Sequence, residues 1–386
     1  MRIRPFSLAV VLSTCCSVAQ CAHDRVILLG DKRYNGTSTV EFTSQALGQA
    51  DFFKLDPAPN ATSFDSQIFR WYFDAMNPLT NETVVFNFEV QWPVDPSVPE
   101  SEMLYRVTLF GSFANGTAYS YAVESDHVKI TEREDKSMRA DFSGYEGNEF
   151  SWSGSSLLKP RPVYIATVNS PELGIRGTIT LHGNTVAPHY SCGTDAAGVE
   201  EQIITGVGWA NAVPDANATV SLQINETSMS FEGYGYHDKT WVDRPFDEAL
   251  QSAFWGHARL GPYAVVWWHS RAQDGTDISA EYLATWEDGH VIASRCVNNP
   301  NNTLGWGEGQ IWPLLPGTPA PGGMILHWDL GDAGTFVANM TSQDIFADIP
   351  QWMAGRGSIT GGFVGQETYT DETGVWTLNQ LEPLST

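Results

Sequence analysis

Two neighbouring segments, Gly233-Tyr-Gly-Tyr-His-Asp-Lys-Thr-Trp241 and Phe254-Trp-Gly-His-Ala-Arg-Leu-Gly-Pro-Tyr-Ala-Val-Val-Trp-Trp-His269, decide how this chain is read. The second consists of two apolar, aromatic-rich runs around Gly261-Pro262, a pair that interrupts regular structure and marks a turn between strands. Side chains alternate between the faces of an extended backbone, so Trp255, His257 and Arg259 share one face before the turn, and Tyr263, Val265, Trp267 and His269 share one after it. The expectation is one hairpin face that joins large aromatics to proton-bearing groups. Apolar walls with a few placed polar atoms are the composition of a small-molecule pocket.

The same two-residue period extends outward from this hairpin. Val84, Phe86, Phe88 and Val90 alternate with Val85, Asn87 and Glu89; Tyr119, Tyr121 and Val123 repeat the pattern, as do Ile179 with Leu181, and Val220 and Leu222 with Ile224. Clusters of Gly, Pro, Asn and Asp at 56–60, 93–99 and 316–323 separate these runs as turns or loops. Helical spacing is confined to Phe246, Ala249, Leu250 and Ala253, and to Ile345, Phe346 and Ile349, both read as short connecting helices. Many short strands with polar turns predict an all-β protein of sandwich or barrel type. The unusual composition of 232–244 places a junction between two domains near 230–245.

Composition limits the function. The 386 residues carry 45 Asp and Glu against 21 Lys and Arg, a net charge of −24 that disfavours any nucleic-acid partner. With 42% apolar residues and 14 Trp the chain has the means to bury substantial cores. Arg2 and Arg4 precede an apolar stretch from Phe6 to Val18 and small residues up to Ala22, which reads as a signal peptide over 1–22, too short for a stable membrane anchor.

Entry to the secretory pathway, with secretion or residence in a vacuolar compartment, agrees with eight Asn-x-Thr acceptors for N-linked glycans, at Asn35, Asn60, Asn81, Asn115, Asn217, Asn225, Asn301 and Asn339. Cys15, Cys16 and Cys21 fall in or at the end of the signal segment, leaving Cys192 and Cys296 as a disulfide pair or as two buried thiols.

The familiar catalytic signatures are missing: no Gly-x-Ser-x-Gly elbow, no His-Glu-x-x-His, no phosphate loop and no complete dinucleotide glycine pattern. No CxxC supports a zinc site. Each residue of the two segments also has a structural reading. His237-Asp238 reads as a surface turn pair, Trp255, Trp267 and Trp268 as core filling, and Arg259 and Lys239 as surface charges.

The Tyr-Gly-Tyr-His-Asp-x-x-Trp run ending at Trp241, followed after a short helix by the Trp-Gly-x-Ala-Arg-Leu-Gly-Pro-Tyr pair ending at Tyr263, resembles the hydroxyneurosporene synthase-like lipocalin family and, within it, the fungal Diels-Alderases of secondary metabolism. The likeness is sharp over 205–270. Lys239, Thr240 and Val242 stand where the family pattern has His, Asn and Gly, while His237, Asp238 and Trp241 match. The resemblance implies two all-β lobes, an N-terminal β-sandwich over 23–235 and a C-terminal lipocalin-like β-barrel over 236–386, with a pocket in or between them.

It also implies chemistry without cofactor or metal on an apolar polyene or terpenoid substrate. His237, Asp238, His257 and Arg259 are then the catalytic candidates, and Tyr236, Lys239, Trp241, Trp255, Tyr263 and Trp267 the substrate-binding ones. A cycloaddition needs a near-attack pose and a hydrogen-bond donor toward a carbonyl, supplied by His237, His257, Arg259 or Lys239. A His oriented by Asp238 would serve as general acid if water must first be lost. Targeting favours a hetero-Diels-Alder enzyme joining a tropolone quinone methide, formed from a hemiketal, to a humulene-type sesquiterpene. A hydratase or lyase of the carotenoid-hydrating type, or a secreted glycan- or lipid-binding β protein, is the other reading.

Overall fold

The structure, a computed structural model, describes residues 25–30, 67–92, 104–144, 147–157, 159–190, 192, 202–242, 246–298, 305–306, 312–313, 316–317, 320, 322–349 and 351–381. The signal peptide, Cys15, Cys16, Cys21 and the acceptors Asn35, Asn60 and Asn301 lie outside the described residues.

Two antiparallel sheets account for nearly all regular structure. The first has the order Arg25–Gly30, His127–Glu132, Met138–Ser143, Glu149–Gly154, Val163–Ser170, Ile175–Gly183, Val207–Ile224, Thr227–Val242, Gln67–Met76, Thr83–Trp92, Leu104–Ser112, Ala118–Ser125, with His189–Tyr190 and Gln202–Ile204 added on Val207–Ile224. Phe88 and Phe142 sit seven places apart in that order. In a flat sheet about 34 Å would separate them, yet their rings are 5.4 Å apart. The sheet therefore curls around one core, where Trp71, Phe73, Trp152 and Tyr164 meet. The first lobe is thus one continuous, barrel-like sheet rather than two separately bonded layers.

The second sheet runs Val291–Asn298, Asp277–Thr285, Tyr263–Ala272, Leu250–Leu260, Tyr369–Gln380, Trp352–Phe363, Thr335–Ile349, Gly323–Asp329, Gly305–Trp306. One face collects Phe254, Trp267, Trp328, Phe336 and Trp376. The other packs on the first lobe, with Trp255, Val266, Trp268 and Tyr282 against Tyr72, Trp209 and Tyr236.

This stacking explains an oddity of the Thr227–Val242 strand. Its beginning alternates exposed and buried positions, but Tyr236 to Val242 are all buried, because one face looks into the first barrel and the other onto the second lobe. His237, Asp238, Lys239 and Thr240 are enclosed for that reason and not placed in a turn. Its partner Val207–Ile224 breaks register around Asn211, Val213 and Ala216, where Pro214 has no N–H to give the ladder. The strand also crosses the 235/236 division expected from sequence; the change of sheets comes later, between Val242 and Leu250.

The expected helices are mostly strand. Phe246–Ala249 makes one turn, and Leu250 already begins a strand. Ile345, Phe346 and Ile349 belong to Thr335–Ile349, whose register shifts at Ser342/Asp344 and Ile345/Ala347. Each irregularity adds a residue to one strand, so a two-residue period imitates a helical one. At the Leu260–Tyr263 turn Gly261 has φ of 56°, as the first position of such two-residue turns requires.

Candidate functional site between the lobes

The site grows from two rows of facing residues. In the first sheet Asn87, Tyr72, Asp238 and Asn211 are register partners across four adjacent strands. In the second, Trp268, Trp255 and Thr377 are partners across three. Tyr72 meets Trp255 edge-on at 4.8 Å in the middle, and Trp209 meets Trp268 at 5.0 Å toward the Asp238 end. Phe110 and Trp352 touch at 5.1 Å beyond the Asn87 end.

Tyr72 and Asp74 on one strand pair with Asp238 and Tyr236 on the next, so phenols and carboxylates alternate like a checkerboard. Asp74 Oδ2 accepts from Tyr72 Oη at 2.9 Å and from His257 Nε2 at 2.7 Å. The carboxylate acceptor places the histidine proton on Nε2. The His257 ring also stacks on Tyr236 at 4.5 Å. Asp238 Oδ2 accepts from Trp209 Nε1 at 2.7 Å and from Tyr236 Oη at 2.9 Å, and Tyr236 Oη also lies against the Asn211 amide. Asp238 Oδ1 and Asp74 Oδ1 have no partner among the described residues.

Burial pushes the Asp238 carboxyl up to about 6, against the donors Trp209 and Tyr236 and the nearby His237, with Asp74 adding to the rise. Burial, reinforced by the two carboxylates, holds the phenols of Tyr72 and Tyr236 well above their ordinary range, so both remain donors. A carboxyl that binds a proton near neutrality, beside neutral phenols, can act as an acid.

The cleft around these residues is lined by Arg70, Tyr72, Asn87, Asp238, Trp255, Trp268 and Thr377, among others. It encloses about 380 Å³ counting its open mouth, between sheets whose rings touch at both Tyr72–Trp255 and Trp209–Trp268. It is therefore a narrow slot. At its mouth Arg70 donates to Glu89 at 2.7 Å and lies 5.9 Å from the Phe246 ring. Burial raises the Glu89 carboxyl, but Arg70 and Arg106 outweigh it and hold the group below its usual value.

Of the residues singled out from sequence, Tyr236, Asp238, Trp255 and His257 come together here. His237, Lys239 and Trp241 point the opposite way, into the first barrel. His237 stacks on Phe73 at 3.8 Å with its Nδ1 on the Tyr72 carbonyl at 2.7 Å, and Lys239 Nζ lies 5.5 Å from the rings of both Trp71 and Trp241. The two halves of the hairpin also present opposite faces. The two-residue turn pairs Trp255 with Trp268 and His257 with Val266, which sends Trp267 and Tyr263 to the far core, beside Phe254 and against Phe336.

Arg259 shares a face with His257 but clamps the lobes. It grips Asp215 through Nη2 at 2.7 Å and Nε at 3.2 Å, and its guanidinium lies between Tyr234 and Trp286 at 4.0 and 4.5 Å. Cys192 and Cys296 form a disulfide, which fastens the end of the first lobe to the Val291–Asn298 strand. Asn115, Asn217, Asn225 and Asn339 are exposed and Asn81 half-buried. Among the described residues no three His, Cys, Asp or Glu are grouped to hold a metal ion.

Sequence reasoning missed Asp74, Asn87, Trp209, Asn211 and Thr377; from the N-terminal half it offers Trp71, Tyr72, Tyr105 and Trp152 as pocket residues without separating them from core, and of these Tyr72 lines the cleft. A signal was present for Tyr72 and Asp74: with Arg70 they put a polar group at every second position of the Gln67–Met76 strand.

A model of the Diels-Alderase-like family matches residues 22–304. The quinolone epoxide rearrangement protein asqO of Emericella nidulans is 35% identical over 340 residues, 87% of this chain and 88% of that one. The quinolone epoxide rearrangement protein penF of Penicillium thymicola is 32% identical over 337 residues, 87% of this chain and 90% of that one. The crystal structure of CghA superposes with a TM-score of 0.71 over 94% of this chain and all of that one, at 13% identity, which shows a shared fold.

Proposed function

We propose a reaction for this chain from the premise that it belongs to the Diels-Alderase-like family, and so among fungal enzymes of pericyclase and rearrangement type that act on small molecules. The reaction is the acid-assisted rearrangement of an epoxide carried on a quinolone-type ring, held in the slot between the lobes. The observation that carries it is the buried Asp238, with a pKa pushed up to about 6 and Oδ1 unclaimed by any described residue in the cleft.

The mechanism follows from the geometry. Trp209 and Tyr236 occupy Oδ2, so a proton on Oδ1 is the one a ligand can receive. Transfer to the epoxide oxygen breaks one carbon–oxygen bond and leaves positive charge on carbon. Trp255, Trp268 and Tyr72 line the slot, and their aromatic rings would stabilise such a cation. Migration or ring closure within the substrate consumes the charge and releases a proton, which returns to the Asp238 carboxylate and restores the acid. Atoms balance as an isomerisation. A cycloaddition would use the same slot through orientation and donors alone.

The quinolone names of the relatives at 35% and 32% identity favour this reading over the tropolone and humulene pairing expected from sequence, whose support is the targeting segment. We keep the secretory pathway and N-linked glycans as part of the proposal; Asn115, Asn217, Asn225 and Asn339 have the exposure glycosylation needs. The test is incubation of purified protein with a quinolone epoxide, followed by chiral chromatography with mass spectrometry. An isomer of unchanged mass is expected. A product heavier by one water would make the protein a hydratase, and unconverted epoxide would remove the reading.

A further inference from the structure

We infer that Asn87 and Thr377 form a lactam-recognition pair at the end of the slot away from Asp238, selecting substrates in which a ring N–H stands directly beside a ring C=O. The inference deepens the proposed function and rests on the interlobe slot being the substrate site.

Four lining side chains keep a buried polar atom without a partner among the described residues: Asp238 Oδ1, Trp268 Nε1, Asn87 Oδ1 and Thr377 Oγ1. All four residues are at most 5% exposed. Such atoms are costly to enclose unless something fills the cavity and bonds to them. Register sorts them into two ends. Asn87 and Asp238 flank Tyr72, and Thr377 and Trp268 flank Trp255, each on the neighbouring strand. The Trp209 contacts join Trp268 to Asp238, so Asn87 and Thr377 share the other end, one from each lobe.

The Asp238 end supplies the acid of the proposed reaction. The Asn87 end offers an acceptor, Oδ1, from the first lobe and a hydroxyl able to donate, Oγ1 of Thr377, from the second. A secondary lactam is the complementary fragment, because its cis amide presents a donor and an acceptor side by side on one edge. Tyr72 and Trp255, which line the slot between the two ends, give the ring that carries it apolar surface to pack on.

The test measures binding of three probes to the full-length protein by equilibrium dialysis: 2-quinolinone, N-methyl-2-quinolinone, and 4-quinolinone, in which N–H and C=O stand at opposite ends of the ring. We expect 2-quinolinone to bind at least tenfold more tightly than either analogue. Thr377→Val keeps the shape and removes the hydroxyl, and should weaken 2-quinolinone by roughly tenfold to a hundredfold. Near-ultraviolet circular dichroism checks that the variant is folded; should it not be, the comparison of the three probes on the unmodified protein decides alone. Equal affinities for the probes, wild-type affinity in Thr377→Val, or no binding of 2-quinolinone at millimolar concentration would overturn the assignment. Rearrangement of a quinolone epoxide without lactam selectivity sinks this inference and leaves the function standing. Lactam selectivity without epoxide conversion does the reverse.

Discussion

Replacing Asp238 with asparagine should stabilise the protein at pH 8 and leave it nearly unchanged at pH 4. The carboxyl is enclosed between the lobes, and burial pushes its pKa up to about 6 from the ordinary value of 3.8. Between those values the folded state holds a proton that the unfolded chain has released, so stability falls as pH rises through the window. Below it both states are protonated and nothing is lost. Above it the ionised carboxylate costs the folded protein about 3 kcal/mol, from a gap of roughly two units.

The amide that Asp238→Asn introduces keeps an oxygen for Trp209 and Tyr236 and carries no charge. Two buried histidines act in the opposite sense: burial lowers His189 to about 3 and His269 to about 4, so both favour the folded state as pH rises toward 6.5. The difference between variant and wild type cancels their contribution. Urea unfolding at pH 4, 6 and 8 should show that difference growing from near zero to about 3 kcal/mol. A difference independent of pH would mean that the Asp238 carboxyl has the same pKa folded and unfolded.

Arg259→Met removes the guanidinium that pairs with the buried Asp215 and lies between Tyr234 and Trp286. Urea unfolding should show a loss of about 3–5 kcal/mol, and a loss under about 1 kcal/mol would mean the clamp is not a clamp. His237→Ala empties a stacked position in the first barrel, away from the cleft. Stability should fall by about 3 kcal/mol while turnover well below the melting temperature is retained; a selective collapse of kcat would return His237 to the site. Cys192→Ser opens a cross-link between residues 104 apart. Thermal and urea unfolding should register about 4–5 kcal/mol of lost stability, and titration of two thiols at 192 and 296 in the native wild type would contradict the bridge.

Much of the fold was legible because alternation is a local signal. The Thr83–Trp92 strand could be read from Val84, Phe86, Phe88 and Val90, and the Gly261-Pro262 hairpin from its turn. Where alternation fails, the cause is tertiary. Ile345 and Phe346 lie beside register shifts, which sequence spacing cannot distinguish from helical turns. The site was half legible. Asp238 and His257 stood out as polar residues among aromatics, but the face each one takes depends on register and on what lies behind the strand. His237 is adjacent to Asp238 and ends in a different core. Trp267 was assigned to the pocket wall, yet the two-residue turn gives that wall Trp268. Thr377 and Asn87 belong to strands 290 residues apart in the chain and meet only because two sheets stack.

Turnover of a quinolone epoxide by Asp238→Asn against wild type, measured from pH 5 to pH 8, decides whether Asp238 is the acid of the cleft. Wild-type kcat should decline as pH rises above about 6. The variant, stable at pH 8, should be slower by about 10²- to 10⁴-fold and insensitive to pH. An Asp238→Asn protein that turns over at the wild-type rate, with the wild-type pH profile, would contradict it.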